Sequence, residues 1–460
     1  MGNGILPGDN DWQRSGVGAP TSDPGGGTGS ASATVDDSAA LANLETEEGG
    51  TLALAYGRHV VRGHMVLHKY QEGPPPTSLL VMALGDGCGT GWHQCVKLYY
   101  AGEEIAASPD GSTAGYHFHP GTQSTGNADP VQGLDSFFGS GLTYNRTAYI
   151  AVKMPAKYAV EDRPDKLVGV YDCLKIADYN AQGVESAASF SSNPARVAAN
   201  FLIKQGGLPA SRIDWPSWVR WRDYCNETIS WNDGTSTRSI ARFECHVAFT
   251  SRPTLAEGLS LICSTAAATW QDDGERISFL LPTDTTPVHH FTDGLMTGTP
   301  GNIVQDSFSL TPTDLRDRPS RLIGKFRNVE DAYLVEVQEE SRREELEAKG
   351  ATPETTPRSM PNMNRSRGQR ILERQMRIEA DNPIFLELTG QGDSFHVLPG
   401  DFVLVSHSSV NWLGVRCLVI AASDESAEKA ADERQFRLQR VDADLYADTD
   451  HHPIQEEVAP

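Results

Sequence analysis

Long apolar runs are missing from this chain. Nothing in it approaches the roughly 20 consecutive apolar residues of a membrane span, and the start, Met1-Gly2-Asn3-Gly4-Ile5, has no basic-then-apolar leader. The expectation is a soluble protein made in a cytoplasm. Cysteine is sparse. Cys88, Cys95, Cys173, Cys225, Cys245, Cys263 and Cys417 are odd in number, hold no C-x-x-C pair and mostly sit in apolar runs, which reads as free buried thiols and not as a disulfide framework. Basic charge is also short: 39 Lys plus Arg face 61 Asp plus Glu, a net charge of −22. That balance argues against a surface that clings to nucleic acid or anionic lipid, although acidity also simply keeps a large protein in solution.

The signatures of catalysis are missing too. There is no G-x-S-x-G elbow, no H-E-x-x-H and no kinase set. The glycine-rich residues 85–91 lack the Lys-Ser/Thr of a phosphate-binding loop, so a hairpin turn is the simpler reading. Adjacent carboxylates such as Asp272-Asp273 and Glu103-Glu104 diverge and make poor acid and base partners across a bond. His117 and His119 alternate, which on a strand puts both rings on one face, but no third ligand stands near them; His289-His290, His451-His452 and the Cys88, His93, Cys95 group match no metal motif either. Neither an enzyme nor a bound cofactor nor a metal is expected.

Glycine and proline are plentiful, 43 and 27, so turns outnumber long helices. Every local signal agrees only in residues 193–282. Asn193-Pro194 reads as an N-cap with proline opening a helix over 195–205 that stops at Gly206-Gly207. A second helix starts at residues 213–216 and buries Trp218, Val219, Trp221, Tyr224 and Cys225. Residues 242–249 read as a strand, residues 251–263 as a third helix opened by Pro253, and residues 270–280 as a hairpin turning at Asp273-Gly274. Trp218, Trp221 and Trp270 are expected to be core residues.

On one side, residues 1–48 are a Gly/Ser-rich arm too polar to bury a core, either disordered or wrapped on a neighbouring subunit. Residues 49–190 read as strands around residues 53–70, 78–87, 93–105, 148–154 and 166–171, with a long loop over 109–144 that either fits a neighbour or is only a turn. On the other side, residues 291–310 form a loop with strand-like ends and residues 321–327 and 332–337 pair. Residues 339–349 read as a charge-laced, solvated helix. Residues 351–367 are a proline-bearing connection, residues 368–382 a helix, and residues 384–388, 402–405, 414–420 and 434–441 strands. Residues 446–460 are an acidic tail.

The phrases "NPARVAANFL", "GLP", "YCNE", "RFECHVAF" and "ICSTAAATWQDDGERISFLLP", in that order, resemble the central tail-tip hub proteins of long-tailed bacteriophages and gene transfer agents, of the lambda host-specificity type. Tyr56-Gly57-Arg58, Gly63, Leu84-Gly85, Val96-Lys97-Leu98, Gly102, the step over 148–154 and the "PGD" turn at Pro399 extend the likeness to roughly residues 50–445. The resemblance implies a mainly β, α+β multidomain chain with two tube-like β-barrels, at 49–190 and 291–445, around a central α+β module at 191–290. It implies a virion structural protein at the tail tip, assembled in the bacterial cytoplasm as a homotrimer. Its partners would be distal tail proteins, the tape-measure C-terminus and, since the chain ends at Pro460 without fibronectin-like repeats, a separate receptor-binding fibre. Genome DNA would pass through without specific binding, along a lumen whose candidate acidic wall residues are Glu103, Glu104, Glu336 and Asp401. A cell-wall or capsule hydrolase and a carbohydrate-binding β-protein stand as the rival readings.

Overall fold

The computed structural model describes residues 52–61, 63–71, 77–100, 103–105, 115–122, 144–155, 167–232, 237–281, 286–328, 336–361, 363–423 and 433–442. The expected arm at 1–48, the acidic tail at 446–460, most of the loop at 109–144 and residues 332–335 of an expected strand lie outside them.

The first nine strands are β1 (Leu54–Tyr56), β2 (Arg58–Val61), β3 (His64–Gln71), β4 (Thr77–Asp86), β5 (Trp92–Tyr100), β6 (Glu103–Ile105), β7 (Gly115–His119), β8 (Thr147–Pro155) and β9 (Leu167–Ile176). All of them but β1 build two open sheets. One runs β3-β4-β8-β7; the other has β5 between β6 and β9, with β2 and a short β10 (Ser189–Phe190) also on β9. Apolar residues alternate on β4, with Leu80, Met82 and Leu84 on the main core and Leu79 and Val81 on a second cluster with Tyr149, so this strand is buried on both faces. No ladder joins the two sheets among the described residues, so the closed barrel implied for 49–190 is replaced there by two sheets sharing one core.

That core continues without a break into the central module, from Ala53 to Leu281. The module holds α1 (Pro194–Asn200), extended by one π-helical turn (Phe201–Gln205), and α2 (Trp215–Asn226). Next come the hairpin β11 (Thr228–Asn232) and β12 (Thr237–Ala241), the short strand β13 (Val247–Phe249), α3 (Leu255–Ser264), and the hairpin β14 (Thr269–Asp272) and β15 (Ile277–Leu280). The side chain of Asn193 accepts the Ala195 N–H, Asp214 accepts that of Ser217, and Gly207 takes φ +66° where the first helix ends. Three local expectations are corrected. The strand expected over 242–249 shortens to β13, because Cys245 N–H turns away to the Ser192 carbonyl at 2.6 Å. The third helix begins after Thr254, whose capping box with Glu257 outweighs Pro253 as the start. The β14–β15 loop spans residues 273–276, with only Gly274 at positive φ, and Asp273 Oδ1 accepts the Glu275 and Arg276 N–H groups.

The remainder holds two sheets. The strands β16 (His289–Thr292), β17 (Ser309–Pro312), β22 (Ile384–Gly390), β23 (Phe402–His407), β24 (Trp412–Ser423) and β25 (Arg434–Arg440) form one six-stranded sheet, ordered β16-β23-β24-β25-β22-β17. The second sheet pairs β18 (Pro319–Arg327) with β19 (Glu336–Arg342), plus β20 (Thr352–Pro353) and β21 (Arg358–Ser359), and α5 (Arg365–Met376) packs over it. Here too the sheets are open among the described residues, which show no closed barrel. The solvated helix expected over 339–349 begins instead as strand, with Glu339 on β19 and only 2% exposed, and the helix shortens to α4 (Glu344–Ala348). Burial and a buried partner, described below, decide that segment in place of its charge pattern.

Gly57 joins β1, which pairs with β13, to β2, which pairs with β9, and so switches the chain from the central module to the N-terminal sheet. It takes φ +75°, and a Cβ there would stand 2.3 Å from the Cys245 carbonyl oxygen and 2.6 Å from His246 Nδ1. Gly57→Ala is expected to cost about 1–2 kcal/mol for the left-handed backbone alone, with the steric clash on top. Thermal unfolding measures it, and an unchanged midpoint would contradict the assigned geometry.

Candidate functional site

A polar network crosses the molecule at the junction that Gly57 creates. Asp172, central on β9 and 2% exposed, receives Arg58 Nε at 2.7 Å, Arg58 Nη2 at 3.2 Å and Gln94 Nε2 at 2.8 Å. The backbone N–H of the same Arg58 donates to His246 Nδ1 at 3.0 Å. His246 therefore carries its proton on Nε2, which points to Glu244 Oε2 at 3.2 Å. The same carboxylate oxygen accepts Arg367 Nη1 at 2.7 Å, while Arg367 Nη2 donates to the Ala241 carbonyl at 3.0 Å. One chain of hydrogen bonds thus links the N-terminal sheet, the central module and α5.

Burial sets the protonation states along it. Loss of hydration lowers the pKa of His246, against the pull of Glu244, and keeps the ring neutral as the tautomer requires. Burial alone would raise Glu244, but the His246 hydrogen bond and the Arg367 charge hold it down at about 2. His59, on β2, donates its Nε2–H to the Tyr56 carbonyl at 3.0 Å, and its pKa is pushed down to about 3, chiefly by burial and then by His246. For a histidine whose folded pKa lies below its ordinary 6.5, stability is full above 6.5 and is lost as the pH falls toward the folded value, because the unfolded chain takes the proton first. Urea midpoints are therefore expected to fall steadily from pH 6.5 to pH 4, with a shallower slope in His59→Asn. Equal slopes would contradict a neutral buried His59.

The rest of α5 tightens the same junction. Arg367, Arg370, Arg374 and Arg377 are spaced three, four and three apart and so share one helical face. Arg370 reaches the Arg242 carbonyl at 2.5 Å and lies over the Phe243 ring, and Arg374 reaches the Ala267 carbonyl at 2.6 Å. Arg365 pairs with the buried Glu339, which also accepts Gln369 Nε2 at 3.0 Å. Gln271 Nε2 donates to the Pro399 carbonyl at 2.6 Å and ties in the six-stranded sheet. The sequence reading missed this stripe by ending the connection at Arg367 and starting the helix at Gly368. Asn364, whose side chain accepts the Arg367 N–H, and the three-four-three arginine spacing were the available signals.

The residues singled out from sequence fall in separate places. Trp218 and Trp221 are fully buried, Trp218 Nε1 donating to the Ala195 carbonyl at 2.6 Å and Trp221 stacking on Phe279 at 4.7 Å; Trp270 is half-buried and donates to Ser260. In the backbone register Glu103 of β6 stands opposite Tyr100 of β5, and Glu336 of β19 opposite Arg327 of β18. Glu104 is exposed and 3.7 Å from Lys97. Asp401 is occupied by its own turn, accepting the Leu398 N–H at 2.7 Å, and burial raises its pKa. His117 Nδ1 meets His119 Nε2 at 2.9 Å, and His119 stacks on Tyr149. No group of three metal-ligating side chains gathers among the described residues, and none of their helices is long and apolar enough to cross a membrane.

These features define a mainly β, α+β chain of several open sheets braced by a helical module. No family model matches the sequence, and no curated protein matches it. Among solved structures, the fold is shared with a chain of the virion of the native gene transfer agent particle, at 13% identity, a TM-score of 0.64 and 89% of each chain covered. Weaker likenesses are to the tail protein from Neisseria meningitidis MC58 (11% identity, TM-score 0.33, 85% of this chain and 98% of that one) and to the 43 kDa tail protein of prophage MuSo2 from Shewanella oneidensis (12%, 0.30, 86% and 99%).

Proposed function

We propose that this chain is a structural protein of a phage-type tail, forming the hub at its distal tip as a homotrimer. The observation that carries the reading is the shared fold with the gene transfer agent virion chain over nearly the whole of both. The order of motifs from Tyr56 to the "PGD" turn supports the hub position. In this reading the chain closes the tail tube, holds the tape-measure end and a separate fibre, and opens for DNA release. The junction of Asp172, Arg58, His246, Glu244 and Arg367 supports a mechanical role, since its hydrogen bonds brace three parts of the chain. Trp218 and Trp221 present no ring surface for a sugar, so nothing specific favours the carbohydrate-binding alternative.

The net charge of −22 fits a conduit, because a negative wall repels phosphate and lets DNA slide. Of the two candidate wall residues whose side chains are described, Glu104 is open to solvent and Asp401 is partly buried. Two experiments test the assignment. Electron microscopy of purified particles carrying a gold label on this chain is expected to place the label at one end of the tail; label along the tube, or none, would contradict the hub. Glu104→Lys, in tails that still assemble, is expected to slow genome release, and unchanged release would remove Glu104 from the conduit.

A further inference from the structure

A cleft of about 540 Å³ opens beside β1 and β13, between the end of the first helix and the start of α3. Its floor is apolar, from Leu54, Phe201, Phe249 and Leu255, the last of these 38% exposed. Its rim is basic. Arg146, Lys204 and Arg252 line it against a single carboxylate, Asp86, in a chain whose net charge is strongly negative. Arg146 stands 3.9 Å from Asp86 and Lys204 reaches Glu185 at 2.9 Å, whereas Arg252 is exposed and makes no ion pair among the described residues.

The cleft selects for a partner that is acidic and carries a few apolar side chains. Such a stretch is attached to it. Leu52 itself lines the cleft, and the sequence before it holds Asp36, Asp37, Glu45, Glu47 and Glu48 around Leu41 and Leu44, with no Lys or Arg anywhere between Arg14 and Arg58. Glu48 is four residues from Leu52, and a chain covers up to about 3.5 Å per residue, so these carboxylates are within reach of the rim without long-range closure.

We propose that this cleft is the docking site of residues 36–48 of the same chain, their carboxylates against Arg146, Lys204 and Arg252 and Leu41 and Leu44 over the apolar floor. The contact is then partly electrostatic at an exposed rim and weakens with salt. It does not rest on the tail-hub reading, and a docked segment would compete with any acidic partner that sought the same cleft.

The test uses the full chain. At low ionic strength a zero-length carboxyl-to-amine cross-linker is expected to join Lys204 to Glu45, Glu47 or Glu48 within one molecule, as read by mass spectrometry on a mixture of light and heavy isotope-labelled protein. Amide exchange over residues 36–48 is expected to speed up about tenfold in Arg252→Glu and in Leu44→Asp, the latter changing no residue of the described fold itself. Cross-links from Lys204 to Glu185 alone, exchange over 36–48 unchanged by both substitutions, or links only between light and heavy copies would each overturn the proposal, the last by assigning the cleft to a second copy.

Discussion

Trp218→Ala is expected to destabilise the chain by about 3–5 kcal/mol. The indole is wholly enclosed, sits edge-on to Trp215 with ring centroids 5.3 Å apart, and gives its N–H to the carbonyl of Ala195 in the first helix. Removing it opens a cavity between α1 and α2 and leaves that acceptor without its indole donor, two costs that add. The packing decides the magnitude, since the surrounding Tyr179 and Trp215 rings stack on one another and cannot collapse freely into the space. Chemical unfolding gives the number. If Trp218→Ala kept full stability and instead lost binding to a glycan, the residue would be a recognition element and the core assignment would fail.

The second large effect lies in the junction. Glu244→Gln is expected to cost about 3 kcal/mol, because it removes the carboxylate charge that the guanidinium of Arg367, 2% exposed, donates to. Changing both, Glu244→Gln with Arg367→Met, is expected to recover much of that loss, since the two charges are then removed together. With Glu244 held at about 2 against an ordinary 4.5, its contribution is full above pH 4.5 and is lost as the pH falls toward 2. A double-mutant cycle over that range measures it. A coupling energy near zero at pH 7 would mean that the two side chains are neighbours without consequence for the fold.

Local chemistry made part of the architecture legible. Asn193-Pro194 and Asp214 announce helices because the cap and the fixed proline φ act within one turn, and those two starts fall where they were read. The strands over residues 78–87 and 148–154 were legible as short apolar runs, because both faces of each are buried. What failed depended on distant partners. Glu339 looks like one member of a solvated charge run, and only Arg365 and Gln369, some thirty residues on, make it a buried strand residue. Arg367 looked like part of a loop because its partner Glu244 is 123 residues away. Sheet closure was implied by resemblance alone, and nothing in strand periodicity distinguishes an open sheet from a closed one.

The most direct test of the central claim, a tail hub built from this chain, is its mass in solution and in particles. Mass photometry of the 49.9 kDa chain at micromolar concentration is expected to give a species of three times that mass, and purified tails are expected to contain three copies. A stable monomer that no tail particle contains would contradict the account.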